Sequence, residues 1–254
     1  MSQLMEIESA PSPMDTAHLD ELIALEETYW WHVAKRELVT EIVQKQFPLP
    51  GRLVEGGIGS AGNLLAFEQM GYHVTGFDVM SDAVEHAKGR GIEDVHQLDL
   101  QDDWGLPDES VNVVLLLDVL EHIADPVAAL RRAAVAIDPQ GGVIVTVPAY
   151  PFLMSDWDHK LGHYRRYTKD MLCRQAVQAG LRVDWLTHWN AFTLPPAIVV
   201  RTLERLFRHR NGTEFPRVSP VVNQLLVRFA RMERWLLHRT GVPVGLSLVG
   251  VLKK

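Results

Sequence analysis

Residues Arg52–Asp78 read RLVEGGIGSAGNLLAFEQMGYHVTGFD, and this stretch decides the fold. Leu53 and Val54 end a buried strand, and Glu55, Gly57, Gly59 and Gly62 crowd the turn that leaves it. Asn63–Met70 has helical spacing, and His73–Phe77 is a second strand that runs into Asp78. The unit is β-α-β with a glycine-rich first turn. Glycine lets the backbone approach a ligand and take positive φ, and the free N–H groups at the following helix start favour electron-rich ligand atoms. A turn of this kind suits a nucleotide-like cofactor, with Asp78 placed at a strand end to accept ribose hydroxyls.

Two patterns overlay the turn. Gly57-Ile58-Gly59-Ser60-Ala61-Gly62 fits the G-x-G-x-x-G fingerprint of dinucleotide-binding folds, with Asp78 at a compatible distance. The same residues form an acidic-x-Gly-x-Gly pattern that begins at Glu55 and resembles motif I of class I S-adenosylmethionine-dependent methyltransferases. The resemblance continues at Asp99, after a third strand, and at Leu115–Pro126, LLLDVLEHIADP, which looks like the fourth-strand motif of that family. It covers Leu53 to Val147, and the ordered set is more specific than either glycine pattern. Ala61 departs from the third Gly of many members, which should shift only the helix start.

The resemblance implies an α/β fold, a doubly wound seven-stranded Rossmann-like sheet whose last strand is antiparallel. It implies S-adenosylmethionine as cofactor, S-adenosylhomocysteine as product, and a methyltransferase as the activity. It assigns cofactor contacts to Glu55, Gly57, Gly59 and Asp78, places Asp99 and Leu100 by the adenine, and sets Asp118 beside the methionine part. His122 falls on the substrate side. An NAD-dependent oxidoreductase and a cofactor-binding regulatory module without turnover are the alternatives.

Residues 1–16 are polar and acidic and read as a disordered tail. Residues 17–50 form an N-terminal helical cap in which Tyr29, Trp30 and Trp31 either clamp the cap to the sheet or close over the cofactor. Two adjacent Trp cannot share one helix face, so one should pack across to another element. The core spans 51–189, with Ser81 capping the helix after Asp78 and Val111–Leu117 forming a central strand buried on both faces. Residues 190–243 are a helical insertion, and 244–254 return as the last strand.

The second informative segment follows a strand at Val143–Val147. Ala149–Thr168 lacks hydrophobic periodicity and gathers aromatics, His, Asp and Arg at the ligand edge, and so long an irregular stretch in a compact domain is usually functional. Its Gly162-His163-Tyr164-Arg165-Arg166-Tyr167 resembles the substrate-proximal loop of many small-molecule methyltransferases. His163 and His122 are the candidate bases, because imidazole titrates near neutral pH. Arg165, Arg166 and Tyr167 are the candidate acceptor-binding residues, with arginines suited to carboxylate or phosphate or else to structural ion pairs. Asp156, Asp158, His159 and His163 lack the spacing of a fixed ligand set, so no metal is expected. Glu121 and His122 read either as site residues or as caps of the helix that begins at Pro126.

The formal net charge of −7 argues against nucleic acid as a partner, and the acceptor is expected to be a small molecule, glycan or lipid. Cys173 is the single cysteine, which fits a reducing compartment, and the acidic first residues do not read as a signal peptide. A cytoplasmic enzyme is the expectation. Charge is unevenly spread, with nine Arg against three Glu over Ala197–Arg239. Val222, Leu225, Phe229, Met232 and Leu236 follow helical spacing there, with Arg228, Arg231, Arg234 and Arg239 on other faces. The insertion is therefore either a cap with a solvated basic side or a peripheral contact to anionic membrane through that side.

Overall fold

The structure, a computed structural model, describes residues 16–207 and 216–254, so the expected tail lies outside the described residues apart from Thr16, which begins the first helix. Helices α1 (Thr16–Leu25) and α2 (Trp30–Gln46) lead into β1 (Arg52–Gly56). Then come α3 (Gly62–Met70), β2 (His73–Asp78), α4 (Ser81–Gly89), β3 (Val95–Gln97) and β4 (Val111–Leu117). The chain continues through α5 (Pro126–Ala136), β5 (Ile137–Pro148), α6 (Asp156–Lys160), α7 (Lys169–Gln178) and β6 (Arg182–Trp189). Finally α8 (Leu194–Phe207) and α9 (Pro220–Thr240) precede β7 (Ser247–Lys253).

The strands form one seven-stranded sheet in the order β3-β2-β1-β4-β5-β7-β6. Neighbours from β3 through β5 pair parallel, while β7 lies antiparallel between β5 and β6. The doubly wound seven-stranded sheet that the family resemblance implies is therefore present. One difference is at β5, where Asp138–Gly141 bulges out of the strand instead of preceding it, so that Val111 faces Ile137 and Val113 already faces Gly142.

Both faces of the sheet are covered. On one, Leu53, Leu115 and Val249 pack with Leu38 and Ile42 of α2 and Leu64 and Phe67 of α3. On the other, Val54, Leu116 and Val145 pack with Leu130 and Ala133 of α5 and Leu172 and Ala176 of α7. This is why β4 reads as an unbroken apolar run: successive side chains alternate between two buried layers. Asp125 caps α5 by accepting from Val127 and Ala128, and Thr168 caps α7 by accepting from Met171. Strand order reverses between β1 and β4, and the crevice beyond their carboxyl ends is where open α/β sheets bind ligands.

The helical insertion presents a different face from the one its periodicity suggests. Ala230, Glu233 and Leu237 are the buried face of α9, while Arg231 and Arg234 reach across to α2, pairing with Glu37 (2.5 and 2.8 Å), and Arg234 also meets Glu41 at 3.0 Å. Val222, Leu225, Phe229, Met232 and Leu236, which the spacing offers as a core-facing stripe, are all exposed. Amphipathic spacing establishes two unlike faces but not which of them meets the protein.

Candidate functional site

The crevice at the reversal point opens into a cavity of about 1240 Å³, larger than the ~300–1000 Å³ usual for a single small ligand. Its floor is the turn after β1. Gly57 (φ 72°) and Gly59 (φ 49°) take left-handed conformations there. A Cβ on Gly57 would run into the Val119 side chain, whereas Gly59 has open space with only Leu22 nearby. Ala61 also takes a left-handed conformation (φ 59°) just before α3 begins at Gly62.

Glu55 ends β1 fully enclosed. Its Oε1 accepts from Asn63 Nδ2 at 2.8 Å, while its Oε2 is buried without a hydrogen-bond partner. Burial pushes its carboxyl up to about 7, against the Asn63 bond. Asp78 ends β2 and is spoken for locally, since Oδ2 accepts from Gly59 N at 3.0 Å and Oδ1 from Met80 N at 2.9 Å. Burial raises its carboxyl in spite of these bonds. The Met80 bond also explains a small correction: Ser81 does not cap α4, because its hydroxyl turns to Asp82 and the residue at the cap position is Met80.

Asp118 stands at the end of β4 at φ 55°. Its carboxylate accepts from Thr146 Oγ1 at 3.0 Å and pairs with Lys35 Nζ at 2.8 Å. Burial works against the charge, but Lys35 prevails and holds the carboxyl below the usual Asp range. Glu121, on the short turn Leu120–His122, is buried with Oε2 unpartnered. Burial and then the Asp118 charge drive its carboxyl well above the ordinary value. With Asp125 as the cap of α5, Glu121 and His122 are left to line the cavity.

The long segment after β5 folds into a short turn and α6, which is opened by a capping box of Ser155 and Asp158. Asp158 is completely buried and organises the loop. It accepts from His163 Nδ1 at 3.1 Å, from Arg166 Nε at 2.8 Å and from the Ser155 hydroxyl at 2.7 Å. Burial opposes this charge, yet the His163 bond and the Arg166 guanidinium hold the carboxyl well below its usual range. Because Nδ1 of His163 is engaged by a carboxylate, Nε2 is its free lone pair. His122 packs edge-on to His163, ring centres 4.5 Å apart. Burial, then the neighbouring His163, lowers the His122 ring to about 3, so it stays neutral.

The N-terminal cap closes the cavity from above. Trp31 lies against Trp189 of β6 with ring centres 4.9 Å apart, and Trp30 meets Phe192. This is the cross-element packing that the adjacent tryptophans require, and both rings also line the cavity. Arg90 donates to the Ser60 carbonyl at 2.8 Å and pairs with Glu26 at 2.5 Å, while Arg36 donates to the Glu26 carbonyl. The cap is thus bolted to the glycine turn.

All seven residues with expected cofactor contacts, Glu55, Gly57, Gly59, Asp78, Asp99, Leu100 and Asp118, lie on the cavity wall, as do His122 and His163. The expected acceptor-binding residues fare differently. Tyr167 is fully buried and donates to the Leu120 carbonyl at 3.1 Å, and Arg165 donates to the Ala124 carbonyl at 2.9 Å; neither lines the cavity. Arg166 reaches the wall, but its guanidinium is bound to Asp158 and to the Ala149 carbonyl. A buried carboxylate needs a paired cation, and that need takes the arginine. Lys35 and Asn63 escape the sequence reading, and of the two readings offered for Glu121 the cavity wall is the one it takes. For metals, Glu121, His122 and His163 offer ligand atoms within 4.8 Å of one another, a set joined from two segments and invisible to spacing.

Comparison with known proteins bears on what this cavity serves. The model of a family described as a methyltransferase domain matches residues 29–211. The ubiquinone biosynthesis O-methyltransferase of Aeromonas salmonicida is 27% identical over 181 residues, 61% of this chain and 76% of that protein. The protein of the same description from Stutzerimonas stutzeri is 28% identical over 178 residues, 63% of this chain and 76% of its own. Among solved structures, a SAM-dependent methyltransferase from Archaeoglobus fulgidus superimposes with a TM-score of 0.60 at 16% identity, covering 94% of this chain and 100% of that one, a likeness of fold.

Proposed function

This chain belongs to the methyltransferase domain family and is an S-adenosylmethionine-dependent methyltransferase, and we propose that it methylates a hydroxyl group of a lipid-type small molecule. The observation that carries the hydroxyl reading is His163 on the cavity wall, held from behind by the buried Asp158. A hydroxyl nucleophile needs a base, and an imidazole whose Nδ1 is held by a buried carboxylate keeps Nε2 ready to take a proton and has its cationic form stabilised afterwards. His122, neutral, packs edge-on to His163 beside it on the wall. The O-methyltransferase names of the relatives favour the same class of acceptor atom.

The cofactor fits the residues present. The unpartnered Oε2 of Glu55 suits an ammonium group, the open backbone at Gly59 admits a close approach, and Asp78 keeps lone pairs for ribose beyond its two backbone bonds. Asp99 and Leu100 would hold the adenine end, and Asp118 the methionine end, all three being on the cavity wall. When bound, S-adenosylmethionine supplies an activated methyl electrophile, so the protein has only to align the acceptor, remove its proton and exclude water. The cap tryptophans provide the exclusion. Peripheral attachment to membrane, where a lipid-type acceptor resides, belongs to the same reading; among the described residues no helix is long and apolar enough to cross one.

The test is incubation with radiolabelled S-adenosylmethionine and separated lipid and aqueous fractions of a cell extract. Label should enter a lipid-soluble compound as a methyl ether. Label confined to the aqueous fraction, or an amine product, would overturn the acceptor assignment, and no label in either would leave a cofactor-binding module.

A further inference from the structure

The described surface of α8 and α9 is unusually apolar. Val199, Leu203, Val221, Leu225, Phe229, Met232 and Trp235 are all exposed, the last two to 57% and 56%. Scattered exposed apolar residues are ordinary, but a set of this size on two successive helices marks an interaction surface. Its charge is one-sided. Among the described side chains of the two helices, the acidic one, Glu233, is buried and accepts from Ala191 N at 3.0 Å. Arg228 and Arg239 are exposed, and the Arg239 guanidinium lies 3.6 Å from the centre of the Trp235 ring. Apolar side chains with an aromatic and arginines at the margin are the composition of a helix lying in a membrane interface.

The α8 part of this surface also borders the cavity. Val200 of α8 is 47% exposed and at the same time lines the cavity, with Pro196, Ala197 and Arg201 beside it. We propose that the outer face of α8 and α9 seats on an anionic lipid bilayer by inserting its apolar side chains, and so sets the cavity mouth at the level where a lipid acceptor would leave the membrane. This deepens the acceptor reading and rests on it only for its purpose, since membrane attachment is measured without turnover. A second copy of the chain fits the face less well. A two-fold pairing would bring Arg228 and Arg239 of both copies to one rim, whereas anionic headgroups neutralise them.

The mode of attachment differs from purely electrostatic adsorption, because Arg231 and Arg234 are engaged by Glu37 and Glu41. The full chain should cosediment with vesicles of phosphatidylcholine alone and bind more tightly when phosphatidylglycerol is added. Rising salt should remove only that added increment. Phe229→Glu combined with Trp235→Glu should lower partitioning by at least ~10-fold on both vesicle types while S-adenosylhomocysteine affinity changes less than ~3-fold, since the substitutions add charge to an inserted face and neither residue lines the cavity. The milder Phe229→Ser should lower it in the same direction, with thermal midpoints checked for both. The proposal is overturned if wild type fails to sediment, if the variants sediment like wild type, or if ultracentrifugation shows a dimer that the variants dissociate. Loss of S-adenosylhomocysteine binding by wild type would instead strike the methyltransferase reading and leave the vesicle result standing.

Discussion

Lys35 of the cap helix and Asp118 at the end of β4 are joined by a 2.8 Å ion pair that spans the roof and floor of the cavity. Asp118 sits close enough to raise the Glu121 carboxyl, so Lys35 is what allows two acidic side chains to share one wall. Lys35→Met should cost about 1.5–3 kcal/mol of stability, the range for hydrogen bonds to charged groups. The Asp118 carboxyl is depressed in the folded state, so the pair's contribution is present above the ordinary Asp range and disappears only as pH falls below it. Denaturant melts of both proteins near pH 7 and near pH 3 check this; an equal difference at the two would remove Asp118 as the titrating partner.

Glu55 predicts a second pH dependence with the opposite sign. Its carboxyl titrates near 7 in the native protein against an ordinary value of 4.5, so between those pH values the native state holds a proton that the unfolded chain has released. Ligand-free stability should therefore fall as pH rises through that window, with a limiting slope of about 1.4 kcal/mol per pH unit for this group. An ammonium beside the carboxylate favours the ionised form, so S-adenosylhomocysteine affinity should climb from pH 6 to pH 8. Calorimetry on Glu55→Gln should show a flat profile; a slope equal to that of wild type would mean that another group titrates.

His163→Ala should lower turnover by about 10²–10⁴, the usual contribution of a general base, while leaving S-adenosylhomocysteine affinity within a few-fold. In this reading the histidine acts on its own lone pair, so EDTA should not change the rate. A strict requirement for an added divalent cation would instead make Glu121, His122 and His163 a ligand set, which their spacing within 4.8 Å allows.

Tyr167→Phe separates packing from recognition. The hydroxyl donates to the Leu120 carbonyl, and its loss leaves a buried acceptor unpaired, for a cost of about 1–3 kcal/mol. The KM for the acceptor should stay unchanged. A raised KM in a protein of normal stability would return Tyr167 to the acceptor site.

Asp78→Ala is expected to do two things at once. Ribose recognition should weaken by about tenfold to a hundredfold, corresponding to a charge-assisted hydrogen bond. The thermal midpoint should fall as well, because the carboxylate also gathers the N–H groups of Gly59 and Met80. Weakened affinity with an unshifted midpoint would show that the turn holds its shape without the clamp.

What sequence made legible here follows a physical division. The residues expected to face the cofactor lie at strand ends or in the turns that leave them, where local order in the chain is also order in space, so the family resemblance could assign Glu55, Gly57, Asp78 and Asp118 from short motifs, and all four line the cavity. The rest of the cavity wall is assembled from α2, the turn after β4 and the loop after β5, and Lys35 meets Asp118 only because the sheet folds between them. Residue type misleads there as well: Arg166 and Tyr167 are chemically apt for binding but are drawn inward by Asp158 and by the Leu120 carbonyl. The reversal of α9 has a similar origin, since Ala230 and Leu237 join the core on α9's inner face and Glu233 bonds the Ala191 N–H, while Glu37 and Glu41 on α2 pair the arginines beside them.

The position of β7 carries a consequence for how the molecule is made. Ser247–Lys253 pairs with β5 on one side and β6 on the other, and it follows the other six strands of the sheet in the chain. Until it emerges, β5 and β6 cannot adjoin each other, and both present unpaired main-chain edges of the kind that recruit other chains. The nascent protein therefore completes its sheet in a single late step, after the apolar helices α8 and α9 have already been synthesised. Ribosome-bound chains stalled before Ser247 should be cut rapidly by protease within β6, and released chains should not; equal resistance would show that the edge is shielded by other means.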